Sequence, residues 1–248
     1  MTAPLRVDIV TLFPGIVEPA LSESMIGRAR ARGLVDIRVA NLRDYADGKH
    51  RVTDDYTFGG GSGMVLKPEP LFAAVEALRT PGARVILMDP RGRTFDQRVA
   101  RELAGDKHLI LLAGRYEGVD ERVSEHLADD ALSIGDYVLT GGELPALVVA
   151  DAVIRLLPGV LGGEDAAERE SFTGGLLEPP QYTRPEDFRG ARVPGVLLSG
   201  DHARIARWRR SQALWLTWRT RPELLAHAEL TADDRKPLER FERGERPE

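Results

Sequence analysis

The chain contains no cysteine, which removes disulfides, thiolate-bound zinc and a cysteine nucleophile from consideration together. Its five histidines, His50, His108, His126, His202 and His227, stand too far apart for the close helical spacing of a zinc protease, so each reads as a surface or satisfied core residue. No resident metal is expected, and any metal would be an oxygen-bound, transient cation. Long apolar runs are also missing. The longest, residues 144–161, is interrupted by Pro145, Asp151, Arg155 and Pro158, which makes it a poor membrane span. Residues 1–6 include a proline and lack a basic segment followed by an apolar one, so no secretory or transit signal is visible and the cytoplasm is the expected compartment. Nor is there an excess of positive charge. At a net −5 the whole surface is not that of a generic nucleic-acid binder, which works by neutralising phosphates.

What is present is 248 residues, 42% of them apolar, enough for one large or two modest domains with a core. Charge is unevenly spread: between positions 201 and 221, Arg204, Arg207, Arg209, Arg210, Arg219 and Arg221 face the single acid Asp201. A basic patch survives in an acidic chain.

Residues 6–12, 36–40, 84–88 and 109–113 read as buried strands separated by amphipathic helices such as 68–78 and 95–103. That alternation predicts an α/β fold, a parallel sheet with helices on both faces. A short strand near 131–133 precedes a Gly-rich turn and a helix over about 143–157, stopped by Pro158 and Gly159. Residues 159–180 then combine Gly162, Gly163, Gly174 and Gly175 with a cluster of acids and no sustained apolar period. Such a segment reads as a linker or mobile loop. From about residue 200 the pattern is helical again, Ile205, Trp208, Ala213, Leu214, Trp215 and Trp218 lying among arginines, so a small, mainly helical C-terminal domain is expected. Residues 240–248 read as a frayed end.

Three glycine clusters carry the chemistry. Phe58-Gly59-Gly60-Gly61-Ser62-Gly63-Met64 fits neither the dinucleotide fingerprint nor the P-loop. It suits close approach to a flat ligand, or else a hairpin tip. Gly114-Arg115-Tyr116-Glu117-Gly118-Val119-Asp120 directly follows an apolar strand, where open α/β sheets bind ligands. Within it Glu117 can favour an ammonium or a sulfonium; its alternative is an ion pair with Arg115 or Arg122. The third cluster, residues 133–145, lets backbone groups face a planar base while Ile134 and Leu139 cover its faces. Its plainer reading is a glycine-rich helix start.

Together with Thr11-Leu12-Phe13-Pro14, the segment from Asp54-Asp55 to Gly63-Met64, and Tyr182-Thr183-Arg184-Pro185, these clusters occur in an order that closely resembles the bacterial tRNA (guanine-N1)-methyltransferase family, TrmD, over nearly the whole chain. The resemblance implies a knotted methyltransferase architecture with a C-terminal trefoil knot in the first domain, an exception to the rule against threading. It divides the chain into a cofactor domain (1–160), a linker (161–178) and a helical tRNA-binding domain (179–248). It implies S-adenosylmethionine as cofactor, a stimulating magnesium ion, and a homodimer whose active site lies at the subunit interface. The cofactor pocket it implies comprises Leu87, Met88 and Pro90; Gly114, Tyr116 and Glu117; and Ile134, Gly135, Tyr137, Leu139, Gly141, Gly142 and Pro145. On the tRNA side it implies Asp55, Gly59, Ser171, Glu178, Arg184 and Arg209.

The implied reaction methylates N1 of guanosine 37, beside the anticodon, in tRNAs where another guanosine precedes the target. N1 carries a hydrogen, so a carboxylate must take it while a cation offsets charge on O6. Arg155 matches the family arginine. The base position is Glu170, where the family has aspartate, and a second family aspartate is likewise replaced at Glu178. Asp165 and Glu168 are the fallback bases. The three tryptophans read mainly as core and the arginines as contacts to anticodon-stem phosphates, the target base having to leave its stack. Two rivals remain open: a catalytically silent RNA-binding factor on the same fold, and a methyltransferase for another RNA site.

Overall fold

A computed structural model describes residues 4–162 and 170–247. The first of its two units, Met1–Glu164, runs β1 (Leu5–Thr11), α1 (Pro14–Ser22), α2 (Ser24–Ala31), β2 (Val35–Asn41), β3 (Asp54–Tyr56), β4 (Met64–Leu66), α3 (Pro68–Leu78), β5 (Arg84–Thr94), α4 (Gln97–Ala104), β6 (His108–Ala113), α5 (Glu121–His126), β7 (Asp130–Ser133) and α6 (Glu143–Ile154). The sheet order is β2-β1-β6-β5-β7, every pairing parallel. The central strand β6 is buried along its whole length, which is why it reads as an unbroken apolar run and not as an alternating one.

Strand periodicity sorts the core into two layers. Val7 and Ile9 of β1 and Ile86 and Met88 of β5 pack with Val17 and Leu21 of α1, Val99 and Leu103 of α4, and Val149 and Val153 of α6. Their neighbours Val10, Val85, Leu87 and Leu112 pack on the other face with Leu71 and Val75 of α3 and Val123 of α5. At about 1.5–3 kcal/mol for each fully buried Leu, Ile or Val, these layers hold the sheet rigid beneath its loops. His108 is a satisfied core residue: its Nε2 donates to Asp8 Oδ2 (2.5 Å) and its Nδ1 lies 2.7 Å from Thr80 Oγ1.

The structure corrects several boundaries. β5 runs on to Thr94 although the apolar run ends at Met88; after a register shift, Arg93 and Thr94 rejoin β7. The helix expected over 95–103 begins at Gln97, after Asp96 accepts from the Val99 N–H (2.8 Å). α6 ends at Ile154, short of Pro158, because Leu156 and Leu157 donate to Val153 and Ile154, the tighter bonding common where helices end. α1 and α2 were not anticipated; Pro14 at the first turn of α1 fixes a helical φ where no N–H is needed.

The second unit, Asp165–Glu248, holds a small hairpin, β8 (Asp187–Phe188) and β9 (Ala191–Arg192), then α7 (His202–Thr220) and α8 (Arg235–Glu242). Its core is Leu176, Ala213, Leu214 and Phe241, with Trp215 and Trp218 against them. The two indoles stack at 5.4 Å, and Phe241 meets Trp215 edge-on at 5.1 Å. Phe241 is therefore a buried anchor, and α8 continues to Glu242 where fraying was expected from residue 240. Residues 170–178, expected to be linker, join this unit: Leu176 is buried, and the Leu177 N–H donates to Thr217 Oγ1 (2.9 Å). Among the described residues no helix is long and apolar enough to cross a membrane.

Asp234, 3% exposed, ties this unit together. Burial alone would raise its pKa, but hydrogen bonds from Arg210 and Thr231 outweigh that and hold it below its ordinary 3.8. The stabilisation is thus fully present above that value and lost as pH falls through the lower folded one. Acid titration followed by tryptophan near-UV circular dichroism is expected to show the wild-type signal persisting at pH 4. Asp234→Asn is expected to lower the thermal midpoint at neutral pH and to flatten the acid dependence of this signal.

Candidate active site

Three segments converge on one side of the sheet: the irregular stretch of β5 after Met88, where its register with β7 shifts, and the loops that follow Ala113 at the end of β6 and Ser133 at the end of β7. They enclose a cleft of about 480 Å³. Every residue expected at the cofactor lies on its wall: Leu87, Met88 and Pro90; Gly114, Tyr116 and Glu117; and Ile134, Gly135, Tyr137, Leu139, Gly141, Gly142 and Pro145. The loops are joined by main-chain contact. Gly142 N–H donates to Gly114 O (2.8 Å), and Arg115 and Gly141 form an isolated antiparallel bridge. Gly135 needs a positive φ of 147°, a conformation open to glycine at little cost.

The wall also carries charge that sequence reasoning missed. Arg91 Nη1 donates to Glu121 Oε2 (2.9 Å) and Arg91 Nη2 to Asp89 Oδ2 (2.9 Å). Burial works to raise the Asp89 pKa, but side-chain and backbone hydrogen bonds from Arg91 outweigh it, so Asp89 stays below the usual carboxylate range. Hydrogen bonds that Arg91 donates to Asp89 and then to Glu121 push its guanidinium pKa upward, so it stays charged. Glu117 differs from both. Arg115 pairs with Glu143 and Arg122 with Asp120, so the ion-pair alternative for Glu117 is not realised. Among the described residues it is the wall carboxylate without a cationic partner.

The first glycine cluster forms the tip of the antiparallel hairpin β3–β4. Gly59, Gly60, Gly61 and Gly63 all have positive φ, so the turn itself accounts for them. Asp55 and Gly59 do not line the cleft, yet β4 is fastened to the second loop: Glu117 N–H donates to Met64 O (3.0 Å) and Leu66 N–H to Gly118 O (3.0 Å). A Cβ on Gly63 would meet Glu117 Cγ and Oε1 at 2.5 Å. The hairpin therefore buttresses Glu117.

The remaining expected residues belong to other elements. Arg155 is the C-cap of α6. Glu170, Ser171, Glu178, Arg184 and Arg209 belong to the second unit, where Ser171 Oγ accepts from the Glu178 N–H (3.0 Å). Asp165 and Glu168 lie outside the described residues. Of the basic patch, Arg210 is held by Asp234 and Arg221 by Glu223. Arg204, Arg207 and Arg209 are exposed and make no ion pair among the described residues. Trp215 and Trp218 are core, whereas Trp208 lies 6.3 Å from Tyr182, in the Tyr-Thr-Arg-Pro segment.

A family model described as tRNA (Guanine-1)-methyltransferase TrmD matches residues 5–227. The chain belongs to the TrmD family. Among curated relatives, the tRNA (guanine-N(1)-)-methyltransferase of Geobacter sulfurreducens is 59% identical over 98% of this chain and 100% of its own length. That of Myxococcus xanthus is 59% identical over 98% and 99%, and that of Geobacillus kaustophilus 53% identical over 96% and 99%.

The residue types on the wall fit the cofactor of such a family. Leu87, Ile134, Leu139 and Pro145 provide apolar surface for a purine, the glycine-rich third loop provides bare backbone groups, and Glu117 provides a carboxylate for a cationic ligand. Thr11, Phe13 and Glu143, which tie the loops from beneath, were not anticipated. All three lie in motifs the sequence had already marked, Thr11-Leu12-Phe13-Pro14 and residues 133–145, but no individual role was expected of them.

Proposed function

We infer that this chain transfers a methyl group from S-adenosylmethionine to N1 of guanosine 37 in tRNA. Membership of the family establishes the class. The observation carrying the reading to this chain is the convergence of three segments at one end of the sheet on a cleft with apolar lining and an unpaired Glu117.

When bound, S-adenosylmethionine supplies an electrophilic methyl on a sulfonium sulfur; the chain must position the two reactants and manage one proton. Ile134 and Leu139 cover the adenine faces, and the third loop offers main-chain groups to its edge. Glu117 favours the positive end of the ligand, with Gly63 packed behind it. Guanine N1 is poorly nucleophilic until its hydrogen is removed, and Glu170 accepts that proton. Arg155 offsets negative charge growing on O6. Exposed Arg204, Arg207 and Arg209 meet stem phosphates, a contact that positions the RNA without reading its bases.

The finer features follow from the same reading. A homodimer is supported by α6, whose exposed positions Leu144, Val148 and Asp151 recur at helical spacing and lead to Arg155; Leu144 is 54% and Val148 45% exposed. We assign that stripe to a second copy, which completes the site with its own Glu170. A trefoil knot belongs to the same reading, the third loop returning to pack Gly142 against Ala113 and Gly114. Guanosine 37 and a preceding guanosine are the substrate features, and the cytoplasm is where the tRNA is found. A magnesium ion that stimulates transfer, held by oxygen ligands, belongs to the same reading.

Transfer of tritiated methyl from S-adenosylmethionine to an unmodified tRNA transcript tests the reading. Activity is expected with guanosine at position 37 and none with adenosine there. A folded, cofactor-binding protein that labels neither transcript would be the silent RNA-binding factor. Equal labelling of both would place the target at another base.

A further inference from the structure

Three separated sequence motifs meet beneath the cleft in one buried polar network. Glu143, 1% exposed, opens α6. Its Oε1 accepts from Thr11 Oγ1 (2.8 Å) at the end of β1, and its carboxylate accepts from Arg115 Nε at 3.1–3.2 Å. Arg115 Nη1 also donates to Thr140 O (3.1 Å), and its guanidinium lies 4.6 Å above the ring of Phe13. Thr11 Oγ1 in turn accepts from the Phe13 N–H (2.9 Å). No buried side-chain polar atom of this network lacks a partner among the described residues, as a low-dielectric site requires.

Position gives this network its consequence. Arg115 sits between Gly114 and Tyr116 of the second loop, while Thr140, Gly141 and Glu143 belong to the third loop and the helix that follows it. A Cβ on Gly141 would collide with Arg115 Nε and Glu143 Oε2, so the loop backbone lies directly on the ion pair. Both loops line the cleft. The pair therefore fixes how far apart two of its three walls stand.

We propose that Thr11, Arg115 and Glu143 are positioning residues for the cofactor cleft: their side chains clamp the second loop to the third, set the width of the adenine slot, and contribute to affinity without touching the transferred methyl. The motif Thr11-Leu12-Phe13-Pro14 thereby acquires a function remote from any substrate, holding the far side of the clamp. The proposal rests on S-adenosylmethionine being the occupant of the cleft.

The test compares KM for S-adenosylmethionine, kcat and thermal midpoint in the full-length protein for Thr11→Val, Thr11→Ser, Arg115→Lys and Glu143→Gln. Thr11→Val removes the donor to Glu143 and the acceptor of the Phe13 N–H with little change of shape, and the thermal midpoint reports whether the fold is kept; KM is expected to rise by roughly 10-fold, the scale on which partners behind a binding shell act, with kcat changed by less than about 3-fold. Thr11→Ser restores the hydroxyl and is expected to restore KM. Arg115→Lys cannot supply the fork that reaches both Glu143 and Thr140, and Glu143→Gln removes the charge; both are expected to raise KM further. Wild-type KM in a folded Thr11→Val, or loss of stability in the series with KM unchanged, overturns the proposal. A wild-type protein inactive with S-adenosylmethionine would instead overturn the reading on which it rests.

Discussion

Glu170→Gln is expected to lower the rate of methyl transfer to the guanosine 37 transcript by roughly 100- to 10,000-fold, the range over which a positioned general base contributes. Affinity for S-adenosylmethionine is expected to stay unchanged, because the role assigned to Glu170 is to take the guanosine proton and not to hold the cofactor. Glutamine keeps the length and hydrogen-bonding shape of the side chain and removes only its capacity to hold the proton, so the loss should fall on kcat. Glu170→Asp poses the complementary question. It installs the family's residue, but in a chain whose surroundings carry the longer one, and a displacement near 1 Å can itself cost about 100-fold. Glu170→Asp is therefore expected to fall between Glu170→Gln and wild type. Single-turnover transfer with the RNA held saturating separates the chemical step from binding. Full activity in Glu170→Gln would remove the base role from Glu170 and pass it to Asp165 or Glu168.

The sheet was legible because its central strands are buried on both faces and read as apolar runs, β6 above all, while the edge strand β2 alternates. β5 was legible only as far as Met88. Its continuation, Asp89-Pro90-Arg91-Gly92-Arg93-Thr94, has no apolar residue to announce it and rejoins β7 through backbone hydrogen bonds that any sequence can make. The glycine clusters were visible as clusters, and their placement after apolar strands pointed to the cleft. The partner of each charge was not. Sequence proximity offered Arg115 to Glu117, two residues away, whereas the fold gives Arg115 to Glu143, 28 positions on, and joins Glu143 to Thr11 across 132. Alternation in a strand says which face a residue occupies, not which neighbour it meets. The same limit applies to the end of the chain, where Arg and Glu around Phe241 suggested fraying although that single ring anchors the second unit's core.

Close approach of backbone to backbone makes Gly142→Ala the other substitution expected to have a large effect. Gly142 has φ −81° and ψ −2°, a conformation alanine adopts freely, so dihedral strain is absent and space alone decides. A Cβ there would stand 2.8 Å from both Ala113 Cα and Gly114 N, and 3.1 Å from Ala113 C. These are main-chain atoms at the end of the fully buried β6 and cannot rotate away. The third loop has to yield instead, stretching the 2.8 Å bond from Gly142 N–H to Gly114 O. Overpacking of this kind costs about 1–3 kcal/mol, and a loop displaced toward 1 Å misplaces the groups facing the adenine, so affinity for S-adenosylmethionine is expected to fall by roughly 100-fold. Gly15→Ala is the control, since nothing lies within 4 Å of its added Cβ. Calorimetric titration of both proteins beside thermal unfolding distinguishes the possibilities. A folded Gly142→Ala with wild-type affinity would mean that the loop approach does not shape the cleft. Lost affinity with a nearly intact midpoint would mean that the cofactor slot depends on the one contact where α6 begins against the end of β6.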